Sequence, residues 1–447
     1  MSTLHDRLAE LADDASPAPG EARDPGNLWD RGRRYGRRRR GAAAALVVAV
    51  LLVLAAGAGS WWQVRPAGID PAGGPASLRL PERLYTPSGW TPGTDGTGPV
   101  GPLVAVVGAE RSGWTGSGFG LAGVTGSGEY AFLDLPGWRD DVSLDGETVA
   151  LSPDGRRLAY WYAEPGEDED VDVASGVAVY DTVTGKTVRH DVEAPLGVTP
   201  QSLGWSGETL WVPVWEHENA PDLGSSVSRF HHVLRWDVGS GEAVEDGPRA
   251  LLSLDGATTW GDRLVVQRGR TVRSVTADGE VTSLARLVGR TDGGAVAVSP
   301  GGTRLATLGD ADPRGESSVR PQQVVVAPVP ARSGADVRPA PVGSEPVDAI
   351  VGWRDDEHVV TLRYASTGAV YETVDVRTGE HRELVRLPAE NVSPGTLVAA
   401  EALRAPLVDA PSPPERLDPR LVAAGGVGLA LLVGVVALRL WRRRVQP

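Results

Sequence analysis

Runs of apolar and polar positions mark out three kinds of segment along the chain. From Ala42 to Trp62 and again from Leu421 to Trp441 the residues are almost continuously apolar. About 20 such residues in a helix cross a bilayer core roughly 30 Å thick. Between these spans no long 3.6-residue periodicity occurs, and short β-branched runs alternate with breaks rich in glycine and proline, the pattern of an all-β domain. Ahead of the first span, Leu4, Leu8 and Leu11 fall on one helical face behind Ser2, predicting a short amphipathic helix with a serine cap.

Two patterns alternate through the central segment. The first is an anchor, SPDGRRLAYW at Ser152, SPGGTRLATL at Ser299 and SPGTLVAAEAL at Ser393, with tryptophan-led versions at Trp205, Trp260 and Trp353. Each combines a strand end, a tight turn and an alternating apolar strand. The second is a hairpin that turns on Gly128, Gly185, Gly241, Gly279, Gly334 or Gly379. Anchors and hairpins interleave strictly, and successive anchors lie 53, 55, 39, 54 and 40 residues apart. Periods of this size, made of four short strands, predict a β-propeller with one blade per repeat. The count is six blades, or seven if Leu84 to Val107, with its LVAVVG run, is a degenerate extra unit. The series opens with a hairpin and closes with an anchor, so neither end is a whole blade. A strand after Ser393 that completed the sheet begun around Gly128 would close the ring by pairing the chain ends and remove exposed sheet edges.

Recurrence of Trp205, Trp260 and Trp353 at equivalent anchor positions predicts packing between blades. Trp90, Trp114 and Trp138 stand outside that pattern and are candidates to line a binding face.

Charge then sets the topology. Arg31, Arg33, Arg34 and Arg37 to Arg40 precede the first span and Arg442 to Arg444 follow the second, which by the positive-inside bias places both termini in the cytoplasm and the centre outside. Trp61, Trp62 and Trp441 fall where interfacial aromatics belong, and Arg439 lies close enough to its span's end to snorkel. The predicted organisation is a cytoplasmic tail over 1–41, a transmembrane helix over 42–62, a linker over 63–79, the propeller over 80–404, a linker over 405–420, a second transmembrane helix over 421–441 and a basic tail over 442–447. A cleaved secretory signal is the competing reading of the first span, with small residues in AGAGS and the Arg33-Arg34 pair in its favour. Its leading region of 40 residues is longer than a signal peptide's.

The formal net charge is -14 despite basic membrane flanks, so the external segment is strongly acidic and nucleic acid is excluded as its partner. Cysteine is absent, which removes disulfides, thiolate nucleophiles and cysteine-bound zinc together.

The anchors SPDGRRLAYW and SPGGTRLATL resemble the repeat of TolB-like and WD-repeat-like bacterial propellers, over about Leu80 to Leu403. Together with the basic amino terminus and the stretch LPERLYTPSGW, the chain also resembles actinobacterial membrane proteins that carry such propellers. The resemblance implies a ring-shaped binding scaffold rather than one reaction.

Motifs for chemistry are sparse. No serine sits in a G-x-S-x-G frame, against a nucleophile elbow. TGKT at Thr184 to Thr187 has Tyr180 where a phosphate loop needs its first glycine. Gly118 to Gly123 spell a dinucleotide fingerprint with no helix to follow. Asp168, Asp170 and Asp172 alternate as in a calcium loop and are the candidate metal ligands, yet Val173 and Val179 occupy the glycine and carboxylate positions, which favours a solvated charge run. His217 with Glu216 and Glu218, and the pair His231-His232, share one blade. Strand alternation puts His231 and His232 on opposite faces.

No catalytic residue and no cofactor is assigned. The expected protein is a non-enzymatic, membrane-anchored extracytoplasmic propeller that binds an envelope protein, peptide or glycan. Two alternatives stand beside it. One is a transmembrane sensor whose Leu4, Leu8, Leu11 face holds a cytoplasmic regulator; its tail layout resembles that of anti-sigma factors but lacks the histidine-cysteine zinc motif. The other is a propeller enzyme acting on envelope glycans or peptides.

Overall fold

Each repeat folds on one plan: a short inner strand ends in the anchor turn, a second strand runs back, a third follows, and a fourth returns over the glycine hairpin. The computed structural model describes residues 78–138, 148–163, 173–218, 227–289, 291–310, 322–365, 368–388 and 396–445. Blade 2 shows the plan whole, with Val149–Leu151, Arg157–Tyr162, Gly176–Asp181 and Thr187–Asp191 antiparallel in that order. Blade 3 uses Gly204–Ser206, Thr209–His217, Ser228–Asp237 and Ala243–Val244, and blade 4 uses Thr258–Trp260, Arg263–Arg268, Thr271–Val275 and Val281–Leu287. Blade 5 is Thr291–Val298, Arg304–Asp310, Gln322–Pro328 and Ala340–Pro341, and blade 6 is Ala349–Trp353, His358–Ala365, Gly368–Asp375 and His381–Arg386. The hairpin glycines read from the repeat, from Gly128 to Gly379, all have φ between +68° and +91°. A side chain would be strained there, which is why glycine marks the repeat so regularly.

Blade 1 is assembled from both ends of the domain. Leu103–Ser112, Ser117–Thr125 and Tyr130–Phe132 supply three strands, and Leu397–Val398 returns to pair antiparallel with Ala105 and Val106 as the inner strand. The expected closure is therefore present, although Ser393 itself lies outside the described residues. The LVAVVG run belongs to the second strand of blade 1, so the described residues form six blades and no seventh.

A second clasp was not visible in the repeat. Leu80–Pro81 pairs parallel with Leu407–Val408. The residues that follow run along the outer strand of blade 6, where Leu84 N donates to Arg386 O (2.8 Å) and Arg386 N donates to Glu82 O (3.0 Å). That outer edge is thus covered by the start of the domain, which is covered in turn by its end. The stretch expected as a linker over 405–420 gives its first residues to the ring.

The core is divided among the blade interfaces. Val106, Leu121, Leu158 and Tyr160 fill the space between blades 1 and 2, Trp161, Val177, Trp205 and Val212 that between blades 2 and 3, and Trp211, Val233, Leu251 and Leu264 that between blades 3 and 4. Val265, Leu287, Val298 and Leu305 join blades 4 and 5, and Ala306, Val324, Trp353 and Val374 join blades 5 and 6. The sixth interface, between blades 6 and 1, holds Leu80, Leu84, Val104, Tyr371, Val385 and Leu403, so both ends of the domain are buried where the ring shuts.

The carboxyl-terminal helix, Pro419–Val445, belongs to a separate compact unit. Its segment Pro419–Arg439 has a mean hydropathy of 2.5 and is long and apolar enough to cross a membrane. The first predicted span over 42–62, the tail with Leu4, Leu8 and Leu11, and the Asp168, Asp170, Asp172 run lie outside the described residues.

Candidate functional site

Antiparallel strands put alternate connections on opposite sides, so the ring has two unlike faces. One carries the anchor turns and the glycine hairpins; we call it the turn face. The other carries the connections between second and third strands and those that lead from blade to blade; we call it the loop face.

Turn-face geometry is fixed by side chains. Ser152 is buried; its Oγ donates to Asp154 Oδ1 (2.7 Å) and accepts from Arg157 N (2.9 Å). Ser299, also buried, accepts from Arg304 N (3.3 Å) in the same way. In the hairpins, Asp181 Oδ1 accepts from the backbone of Val183 (2.9 Å) and Thr184 (2.8 Å), and Asp375 Oδ1 from Arg377 (2.8 Å) and Thr378 (3.0 Å). Backbone donors hold the Asp237 and Asp375 carboxyls below the ordinary aspartate value. Gly185 and the TGKT string sit in one of these hairpins, and Gly118 to Gly123 lie within the strand Ser117–Thr125, so neither forms a phosphate site.

Trp205 and Trp353 are buried, and each indole N–H donates to the preceding blade's inner strand, at Ala150 O (3.0 Å) and Ala297 O (3.1 Å). Trp260 is different. It pairs with Arg263, the position that Ser206 holds opposite Thr209 in blade 3, so it stands one step along the strand and points to the other side. Its ring meets the blade 5 anchor turn, where a Cβ at Gly302 would lie 2.7 Å from it.

Both ends of the domain reach the turn face. A Cβ at Gly126 would approach the Arg79 backbone to 3.3 Å and one at Gly128 the Ala410 Cβ to 2.5 Å, while Glu401 N donates to Pro153 O (3.0 Å).

The loop face carries the less regular chemistry. At the top of blade 3 the register shifts between Val214 and Trp215, which pair with His232 and Phe230, leaving His231 as a bulged residue. Alternation fails at a bulge, and the two imidazoles, expected on opposite faces, meet instead with their Nδ1 atoms 2.6 Å apart. Glu216 Oε1 lies 3.3 Å from His231 Nδ1. Burial pulls His232 below the ordinary histidine value, against the pull of Glu245 and with the help of His231. One nitrogen of the pair must donate and the other accept. Two ligands of a tetrahedral zinc, each about 2.0–2.1 Å from the metal, stand about 3.3 Å apart, so this contact is that of a shared proton. Among the described residues no group of three or more histidine, aspartate or glutamate side chains is arranged to hold a metal. His217 is buried apart, its Nε2 3.1 Å from Thr199 Oγ1.

On blade 1, the hairpin between Leu103–Ser112 and Ser117–Thr125 projects Trp114, which is 58% exposed. Trp90 packs edge-to-face on it, with centroids 6.4 Å apart at 69°. Ser112 N donates to Gly89 O (2.8 Å) and fastens the Trp90 loop to the hairpin. Trp138 does not join them and packs on Phe119, with centroids 6.4 Å apart.

A buried polar cluster in blade 6 escaped the sequence patterns. Glu372 accepts from Arg363 through one carboxylate oxygen, and its other oxygen lies 3.1 Å from His381 Nδ1. Burial alone would raise the Glu372 carboxyl, but these two partners outweigh it and hold the group below the ordinary glutamate value.

No family model and no curated protein matches the chain. Solved structures similar to it include the β-propeller domain of the Trilobed protease from Pyrococcus furiosus, 14% identical over 69% of this chain and 85% of that one, with a TM-score of 0.38. A putative 6-phosphogluconolactonase from Bacteroides fragilis is 13% identical over 64% of this chain and 96% of that one, with a TM-score of 0.34. TolB from Acinetobacter baumannii, whose repeat the anchors resemble, is 12% identical over 63% of this chain and 68% of that one, with a TM-score of 0.30.

Proposed function

We propose that the protein is a membrane-tethered binding scaffold whose propeller presents its loop face to the cell envelope. One observation supports this: both ends of the domain, which in sequence lead toward the two apolar spans, reach the turn face at Arg79 and Ala410, so a tether there would leave the opposite face for binding. Loops on a rigid scaffold are where binding residues gather. The partner is an extracytoplasmic protein, peptide or glycan. Non-catalytic binding is the favoured role because the histidines and carboxylate at the top of blade 3 engage one another and, among the described residues, line up no nucleophile.

The absence of cysteine makes the test direct. Single cysteines at Ser2, Thr115 and Ser240, treated with a membrane-impermeant maleimide in intact cells, are expected to label at Thr115 and Ser240 and to stay unlabelled at Ser2 until the membrane is breached. Labelling of Ser2 in intact cells, or protection of Thr115, would overturn the topology.

A further inference from the structure

We infer that the loop-face corner of blade 1, built on Trp114 and Trp90, is a subsite for an uncharged pyranose ring of a glycan. This deepens the scaffold reading and rests on it for its biological setting, though not for its chemistry.

A pyranose has an apolar face of C–H groups and a rim of hydroxyls. It asks of a protein one flat, exposed aromatic surface and a few hydrogen-bonding groups around it. Trp114 supplies the surface: it is the sole exposed tryptophan among those of the propeller whose side chains are described. Trp90 braces it from the side, and the backbone bonds from Ser112 to Gly89 (2.8 Å) and from Gly113 to Gly116 (2.7 Å) hold the two segments before any ligand arrives. Such preorganisation lowers the cost of ordering on binding. Three residues before Trp114, Arg111 Nη2 lies 3.4 Å from Asp95 Oδ1, with side chains 35% and 54% exposed, so a donor and an acceptor suited to hydroxyls face solvent together. Glycine at 113 and 116 flanks Trp114 without a side chain to cover the ring.

Three other occupants fit less well. A membrane is set aside because Arg79 and Ala410, which lead toward the apolar spans, reach the opposite face. An anionic polymer is disfavoured because the Arg111 charge is already matched by Asp95. A stable protein interface buries about 800 Å² on each partner, and Trp114 is the only exposed large apolar side chain between Leu84 and Phe119.

Calorimetric titration of the full-length protein in nanodiscs tests this, with chitotetraose and maltotetraose as uncharged probes and dextran sulfate as a polyanion. We expect at least one uncharged probe to bind with a Kd of about 1 mM or tighter, the Trp114→Ala variant to bind it at least tenfold more weakly, Trp114→Phe to fall between, and Tyr364→Ala, an exposed aromatic elsewhere, to match the parent. The inference is overturned if neither uncharged probe binds, if Trp114→Ala binds as the parent does, or if dextran sulfate is the preferred probe. Those outcomes leave the cysteine-labelling result untouched, so a failed glycan assignment and a failed topology are told apart.

Discussion

On the turn face, each bend is held by a buried serine, an aspartate that accepts backbone N–H groups, or a glycine at positive φ. On the loop face, the same strands are joined by connections that differ from blade to blade in length and residue type. The contrast shows where the sequence is constrained by the ring and where it is left for recognition. The turn face must fit neighbouring blades against one another. Gly155 illustrates this, because its carbonyl accepts from Leu103 N (2.8 Å) of blade 1 and from Thr182 Oγ1 (3.0 Å). The loop face also joins blades, as where Ala174 and Val198 exchange two backbone bonds (2.9 and 3.1 Å) and Trp161 donates to Gln201 O (2.7 Å), but it does so through connections that differ from blade to blade, and there the bulge at His231 and the exposed Trp114 occur.

Substitution should therefore cost more on the turn face. At Gly155, φ is +71° and a Cβ would lie 1.8 Å from Leu103 O. Gly155→Val is expected to lower stability by about 4 kcal/mol or more, measured by chemical denaturation of the membrane-embedded protein. A variant as stable as the parent would show that the turn is not fixed. Next is the clasp between blades 6 and 1. Leu84 is 1% exposed, and Leu84→Ala is expected to cost about 3 kcal/mol and to expose the edge of blade 6 to proteolysis.

The blade 6 cluster gives the fold a pH dependence. Folded Glu372 is held below its unfolded value, so its carboxylate stabilises the fold. That contribution is whole above the unfolded value and is lost as pH falls through the folded one. Glu372→Gln is expected to cost about 2 kcal/mol at neutral pH. It should also flatten the loss of stability below the ordinary glutamate range, as read from thermal denaturation across acidic pH. An unchanged acid profile would remove Glu372 from that role. Smallest of all, Trp114→Ala should change stability by no more than about 0.5 kcal/mol, since exposed loop-face residues carry little of the fold.

Much of this architecture can be read along the chain. The anchors and glycines recur because the ring needs the same turn at the same place in every blade, and the incomplete repeat at each end announces closure. What stayed hidden depends on partners distant in sequence. The bulge at His231 is set by pairing against Val214 and Trp215, and nothing local to the His-His pair reports it. Trp260 looks equivalent to Trp205, yet it stands directly before its turn, where blade 3 has Ser206, a difference that counting from each tryptophan to the turn glycine would reveal. The Leu80–Pro81 clasp is too short to leave a periodic pattern. Arg363, Glu372 and His381 sit on three strands and converge only when the sheet forms. The Trp90 and Trp114 contact was foreshadowed only by their falling outside the repeat.

In the proposed topology the closed ring is tethered at its turn face, which Arg79 and Ala410 reach, and the loop face points away from the bilayer. This orientation can be tested by energy transfer from a fluorophore on a single cysteine to acceptor lipids in proteoliposomes. Strands of the length seen in blade 1, rising about 3.4 Å per residue, separate the two faces by about 25–30 Å. A fluorophore at Thr184, in a turn-face hairpin, is expected to lie nearer the bilayer than one at Thr115 by about that distance. Equal distances, or a nearer Thr115, would rule out this orientation.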